Sequence, residues 1–273
     1  MYEGIRRSVN ELGMFDDIVA AGVPNAPGAK TAILFSETSD IYLEDYGDVG
    51  AAKRALYLML RHAQIMLDVI IEDDIVDNHA GDYAVVYFCQ AHITEAAGDA
   101  LARWVGAGGR LFLTAGAGLL NETNTTHRAL AAAMGVAGHA LRRGQTAAPA
   151  EIQYIKQDLR FARRLDAVAP HANFTTGGAA ATLGVYGARA VLELADAPRP
   201  ADVLATFESD GAPALFRRRH GAGSLLVAAF HPGFAYFERA IPLRPVSRGS
   251  VDSTFNHFVV SADTCAFSIC ARC

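Results

Sequence analysis

Cys89 and His92 stand three residues apart and are the nearest approach in this chain to a nucleophile beside its base. A thiolate attacks amides and esters once a neighbouring imidazole lowers the thiol pKa. His231, in Phe230-His231-Pro232-Gly233, is a second imidazole suited to the same task. The plainer reading is that Cys89 ends a buried strand as a small, inert apolar residue. Six polar residues, Ser36, Glu37, Gln90, His92, Thr114 and His231, have the hydrogen-bonding groups to line a small-ligand crevice. Ser36 or Ser39 serves equally well as the cap of a turn. Glu72-Asp73-Asp74 is an acidic triplet of a kind that can hold a divalent cation, though such triplets more often favour a helix N-terminus. Cys265, Cys270 and Cys273 with His257 are zinc-ligand types, but C-x4-C-x2-C matches no strong zinc pattern. The expectation is no metal and no cofactor.

The stretch from Asp82 to Glu122 must position these groups. Tyr83 to Cys89 is an apolar run of strand length. Glu95 to Val105 has helical spacing, with Ala96, Ala100, Leu101, Trp104 and Val105 on one face. Gly106, Gly108 and Gly109 stop that helix, and Arg110 to Ala115 is a second buried run. Strand, helix and strand make a βαβ unit, hence a parallel sheet covered on both faces. In such folds ligands collect at the carboxyl ends of the strands, here Cys89-Gln90-Ala91-His92 and Thr114-Ala115-Gly116. Thr31 to Phe35 and Leu67 to Ile71 are further strands, joined by a helix over Val49 to Gln64. Asn121 to Asn124 is placed to cap a helix over His127 to Met134. The whole predicts a flavodoxin-like, doubly wound α/β fold with a mostly parallel sheet in the order 2-1-3-4. Val203 to Glu208, Ala214 to His220 and Ser224 to Phe230 read as an antiparallel C-terminal extension, with turns at Ser209-Asp210-Gly211 and Gly221-Ala222-Gly223.

Outside that core the pattern thins. Residues 2–20 have the spacing of an amphipathic helix, with Ile5, Val9, Leu12 and Phe15 on one face, and a Pro/Gly linker runs to Gly28. Residues 29–236 form the expected α/β domain. Within it, 137–200 read as an insertion or covering layer, with a short basic helix over Asp158 to Leu165 and a strand over Ala188 to Leu194. Residues 237–273 are an irregular tail.

Composition narrows the function classes. The chain is 51% hydrophobic with net charge −5, and its mean hydropathy is +0.17. No apolar run reaches the roughly 18 residues of a membrane span, and MYEGIRRSVNELGMF has no signal-peptide core. The expectation is a cytoplasmic protein without a membrane partner. Charge is unevenly divided: residues 1–100 carry 17 acids and 6 bases, the remainder 12 acids and 18 bases. Arg217-Arg218-Arg219 is the sharpest basic cluster, and no basic stripe is interleaved with aromatics, which argues against nucleic acid.

The segments AILFSETSD, LDVIIEDD, YAVVYF, ALARWVGAGGRLFLTAGAGLLNE and GAGSLLVAAFHPG resemble the class I glutamine amidotransferase-like fold. Within that fold they are most similar to the trimerisation domain of family 42 glycoside hydrolases, the β-galactosidase type. The similarity covers roughly residues 30–235. In the resembled amidotransferases a cysteine sits on the sharp turn after the strand matching Arg110 to Thr114, and His-x-Glu follows the last strand. Here the corresponding positions are Ala115, His231 and Gly233, so the resemblance implies a degenerate triad and no catalysis, with Cys89 and His92 as the fallback pair. It also implies an accessory domain, because the glycosidase carboxylates belong to a barrel for which this chain has no pattern. Three functions follow. The first is a pseudoenzyme that self-associates, as a homotrimer, beside a glycoside hydrolase catalytic domain, with Trp104, Tyr42, Tyr46, Phe234 and Tyr236 as contact aromatics. The second is a cysteine-dependent hydrolase or amidotransferase using Cys89. The third is a sugar-binding module using the strand-end crevice.

Overall fold

A computed structural model describes residues 2–18, 28–42, 49–143, 167–176 and 179–237. The first apolar run forms β1 (Thr31–Phe35). A short helix α2 (Glu37–Ile41) and a longer α3 (Val49–His62) lead to β2 (Leu67–Ile71). The acidic triplet opens α4 (Glu72–Val76), and β3 (Val85–Phe88) follows. Helix α5 (Glu95–Gly106) crosses to β4 (Arg110–Thr114), giving the βαβ unit read from the sequence. Then come α6 (Arg128–Met134), β5 (Val136–Arg143), β6 (Ala167–Thr176), β7 (Ala179–Tyr186) and β8 (Ala188–Leu194). The chain closes through β9 (Val203–Phe207), β10 (Pro213–His220), β11 (Gly223–Ala228) and α7 (Pro232–Phe237).

The main sheet has nine strands in the order β2-β1-β3-β4-β11-β10-β9-β6-β7. The 2-1-3-4 order expected from the sequence is observed. β11 inserts parallel to β4 and carries the antiparallel extension beyond it. β5 and β8 pair apart as a two-stranded ladder. Alternation along the central strands divides the core into two layers. Ile33, Tyr87, Phe112 and Leu226 face a cluster with Ala55, Leu56, Met59 and Leu60 of α3. Leu34, Phe88, Leu113 and Val227 face the other side, against Leu101 and Val105 of α5 and Leu130 of α6. Each central strand is therefore buried on both faces, which is why it reads as an unbroken apolar run.

Three local features differ from the sequence reading. Helix α6 is capped by His127, whose Nδ1 accepts from the Leu130 N–H at 3.4 Å. Asn121 instead closes its own turn, its Oδ1 accepting from the N–H groups of Thr123 and Thr125. The first helix, α1, spans Tyr2–Gly13 within the expected 2–20, and its Tyr2, Ile5 and Val9 are exposed. The expected helix at 158–165, Tyr46, and the tail with its three cysteines and His257 lie outside the described residues. No described helix is long and apolar enough to cross a membrane.

Candidate functional site

The carboxyl ends of β1 and β3 meet in a buried polar network. Ser36 follows β1 directly and is the N-cap of α2, its Oγ accepting from the Ser39 N–H at 2.9 Å. Gln90 lies two residues past β3 and is fully buried. Its Oε1 accepts from the Ser36 N–H at 2.8 Å. Its Nε2 donates to the Ser36 carbonyl at 3.0 Å and to Asp40 Oδ1 at 3.1 Å. The Gln90 side chain thus ties the start of the loop after β1 to the chain leaving β3, beyond the last paired residues Ile33 and Tyr87. Lys53 reaches Asp40 at 3.4 Å and lies over the Phe35 ring. The His92 ring stacks on Tyr42 at 4.1 Å, and its Nε2 donates to Asn124 Oδ1 at 2.9 Å.

Beneath this network sits Glu72, the first residue of α4, whose importance the sequence did not reveal. Its side chain is buried. Oε1 accepts from Ser36 Oγ at 2.5 Å and the Thr38 N–H at 3.3 Å, and Oε2 accepts from Thr38 Oγ1 and the Thr94 N–H, both at 3.0 Å. One carboxylate therefore ties the loop after β1 to the N-terminus of α5. Among the described residues the partners of this carboxylate are hydrogen-bond donors, which is how a buried carboxylate is tolerated. Glu37, its neighbour in the expected crevice, is exposed.

Thr114 and His231 form a separate pair at the ends of β4 and β11. Thr114 Oγ1 is 3.5 Å from His231 Nδ1. The turn after β4 is sharp: Ala115 has φ 32 and Gly116 φ 83, and the Ala115 N–H donates to the Ala228 carbonyl at 2.7 Å. A non-glycine residue at such a φ is strained. The elbow geometry is present, but it carries a methyl group. Gly233 is packed against α3, where a Cβ would lie 2.7 Å from the Ala55 carbonyl carbon and the Leu56 nitrogen. No acid can stand there behind His231 without moving a helix.

Burial sets the protonation of what remains. Desolvation pushes the His231 imidazole down to about 4, so the ring is neutral at pH 7. Desolvation also pushes the Cys89 thiol up to about 12, Lys53 opposing it only in part. Cys89 packs within the core layer facing α3. A thiol so protonated is no nucleophile at neutral pH.

The depressed His231 pKa makes a stability prediction. In the unfolded chain the ring titrates near 6.5, so as pH falls the unfolded state takes up the proton first. The neutral ring's contribution is whole above about pH 6.5 and is lost as pH falls from there towards 4. By pH 5 the loss reaches roughly 2 kcal/mol. Urea unfolding of wild type and His231→Gln at pH 7.5 and pH 5 checks this. The gap between the two proteins should change with pH, and a constant gap contradicts the assignment.

Two other places have functional residue types. Glu95, Asp99 and His127 bring one donor atom each within 4.8 Å of one another. The His127 ring is already engaged at both nitrogens, Nδ1 as the α6 cap and Nε2 donating to the Glu95 carbonyl at 3.2 Å. This cluster is a helix cap rather than a cation site. A cleft of about 700 Å³ opens at the amino ends of the strands, lined by Tyr83, Arg103, Trp104 and Arg110 among others. Trp104 lies against the Gly109 backbone there, half-buried. Among the other expected contact aromatics, Phe234 and Tyr236 are core residues.

A family model described as the beta-galactosidase trimerisation domain matches residues 29–241. Solved structures with the same fold include the cold-adapted β-galactosidase from Rahnella sp. R3, with 23% identity and a TM-score of 0.56 over 84% of this chain and 34% of that one. A β-galactosidase from Bacillus circulans sp. alkalophilus aligns with 18% identity and a TM-score of 0.53, over 74% of this chain and 28% of that one. The β-galactosidase from the haloarchaeon Halorubrum lacusprofundi gives 15% identity and a TM-score of 0.54, over 75% and 28%. The chain thus spans about a third or less of the length of these neighbours. Comparison with curated proteins gave no significant match.

Proposed function

The chain belongs to the beta-galactosidase trimerisation domain family, and we propose from that premise that it is a non-catalytic assembly domain serving a glycoside hydrolase. In this reading it holds subunits together, as a trimer, and leaves the sugar chemistry to a catalytic domain outside residues 29–236. The observation that carries the non-catalytic part is the pair of positions Ala115 and Gly233. A nucleophile is missing from a strained elbow, and the place of the orienting acid is closed by the Ala55 and Leu56 backbone. Triad chemistry needs the base held by a third group and aimed at a nucleophile. His231 has neither. The strand-end crevice offers a sugar few open groups, because Ser36, Gln90, Asp40 and Glu72 satisfy one another.

The test of inertness is turnover by the purified chain. Neither release of the aryl alcohol from aryl β-galactosides nor release of ammonia from glutamine should exceed the buffer rate. Activity that copurifies with the chain and disappears in Cys89→Ser would replace this reading with a cysteine enzyme.

A further inference from the structure

We propose that the cleft at the amino ends of β3 and β4 binds an uncharged sugar in its ring form, stacked on Trp104 and held by Arg103, Arg110 and Asn78. This goes beyond the assembly reading, since it concerns one face of a single copy.

Backbone builds the seat of the cleft. After α5 the chain turns through Gly108, at φ 126, a conformation that glycine adopts without strain. The Gly109 N–H donates to the Trp104 carbonyl at 3.1 Å, and the Gly109 carbonyl accepts from the Ser224 N–H at 3.2 Å. The turn is thereby tied both to α5 and to β11. A Cβ at Gly109 would lie 2.4 Å from Cδ2 and Cε2 of the indole and 2.7 Å from Cε3. The indole therefore fills the space that a side chain at 109 would need. Trp104 is half-buried in this seat and lines the cleft. An aromatic group fixed before the ligand arrives spares the cost of ordering it on binding.

Arg103, Arg110 and Asn78 line the same cleft and are exposed. None of their side chains has a hydrogen-bond or ion-pair partner among the described residues. Asn78 precedes a single 3-10 turn, His79–Asp82, yet its side chain does not cap it. The contrast with the strand-end crevice is direct. There the polar groups are spent on one another, and here they are open to a ligand.

Charge and shape select the ligand. Two guanidiniums alone would suit an anion. Aspartates offset them at the rim. Exposed Asp77 adjoins Asn78, and exposed Asp82 adjoins Tyr83, whose hydroxyl donates to exposed Asp68 at 3.1 Å. The Tyr83 hydroxyl is pushed up by burial, by that hydrogen bond and by the charges of Asp68, Asp82 and Asp74, the mark of a negative rim. Such a mixture gives a free anion little net attraction and leaves an uncharged ligand indifferent. A pyranose offers an apolar C–H face to the indole and a ring of hydroxyls to the polar groups. A guanidinium fork can donate to two neighbouring hydroxyl oxygens, and a carboxamide both donates and accepts. The volume of about 700 Å³ falls within the roughly 300–1,000 Å³ of small-ligand sites.

Trp104 is the one tryptophan of the chain, so its fluorescence reports on this cleft. The full chain is titrated with galactose, glucose, the open-chain polyol sorbitol and inorganic phosphate. At least one of the two sugars should change the emission saturably in the millimolar range, and sorbitol and phosphate should not. In Arg110→Ala the dissociation constant should rise roughly tenfold with the melting temperature unchanged. The same is expected of Asn78→Gly, which removes the amide and keeps the left-handed backbone, φ 67, at that position. A response to phosphate larger than to either sugar would make the cleft an anion site and overturn the proposal. Absence of a saturable response to both sugars, an equal response to sorbitol, or variants that bind as wild type does would overturn it as well. None of these outcomes bears on the mass in solution, which tests the assembly reading separately.

Discussion

Replacing Glu72 with alanine is expected to cost the domain about 3–5 kcal/mol. The carboxylate accepts from Ser36 Oγ, Thr38 N–H, Thr38 Oγ1 and Thr94 N–H in a buried setting. Truncation leaves these donors without their acceptor. An unmade buried hydrogen bond costs about 1–3 kcal/mol, and donors that share one acceptor do not add independently. Glu72→Gln should cost less, because one amide oxygen remains, while its NH2 group must face donors. Equilibrium urea unfolding provides the check. A Glu72→Ala midpoint close to wild type, with an unchanged slope, would show that water replaces the carboxylate at little cost. The effect should be structural: Glu72 joins the loop after β1 to α5, so its loss loosens the β2–β1 end of the sheet as a unit.

Gly233→Glu is the second large effect, and it bears on the triad positions that the amidotransferase resemblance implies. The substitution writes back the acid that the resembled amidotransferases carry, yet it should destabilise by about 3 kcal/mol. The clashing atom is the first one added. A Cβ at 233 lies 2.7 Å from backbone atoms of Ala55 and Leu56 and 3.0 Å from the Ala55 Cβ. Relief requires α3 to move, and α3 supplies Ala55, Leu56, Met59 and Leu60 to the core. Gly233→Ala should therefore already show most of the loss. If Gly233→Glu is as stable as wild type, the site at the end of β11 is roomier than described, and degeneracy at this position is a choice of residue rather than of backbone.

The central sheet was legible in the sequence because its strands are buried on both faces. Thr31 to Phe35, Tyr83 to Cys89 and Arg110 to Ala115 are unbroken apolar runs, and the glycines after Val105 mark the end of α5. The far end was harder. β6 and β7 are built from AVAPHANFTT and AAATLGVY, where alanine, threonine and glycine blur the period-two pattern. β5 and β8 form a ladder apart from the main sheet, so neither belongs to a βαβ rhythm.

The site was legible by position and not by partnership. Ser36, Gln90 and His92 were placed together because loops after buried strands collect polar groups. Thr114 and His231 prove to be a second, separate pair. Glu72 was visible only as part of an acidic triplet, because what distinguishes it from Asp73 and Asp74 is contact with Ser36, Thr38 and Thr94. His127 was missed as a cap because Ser, Thr, Asp and Asn are the usual capping residues and an imidazole nitrogen does the same work less often.

The most direct test of the assembly reading is the mass of the purified full chain by light scattering across a tenfold concentration range. One chain is 29.0 kDa. The account predicts a mass three times that value, steady across the range. A mass of 29.0 kDa at every concentration would contradict it and leave the family's fold without the family's assembly role in this chain.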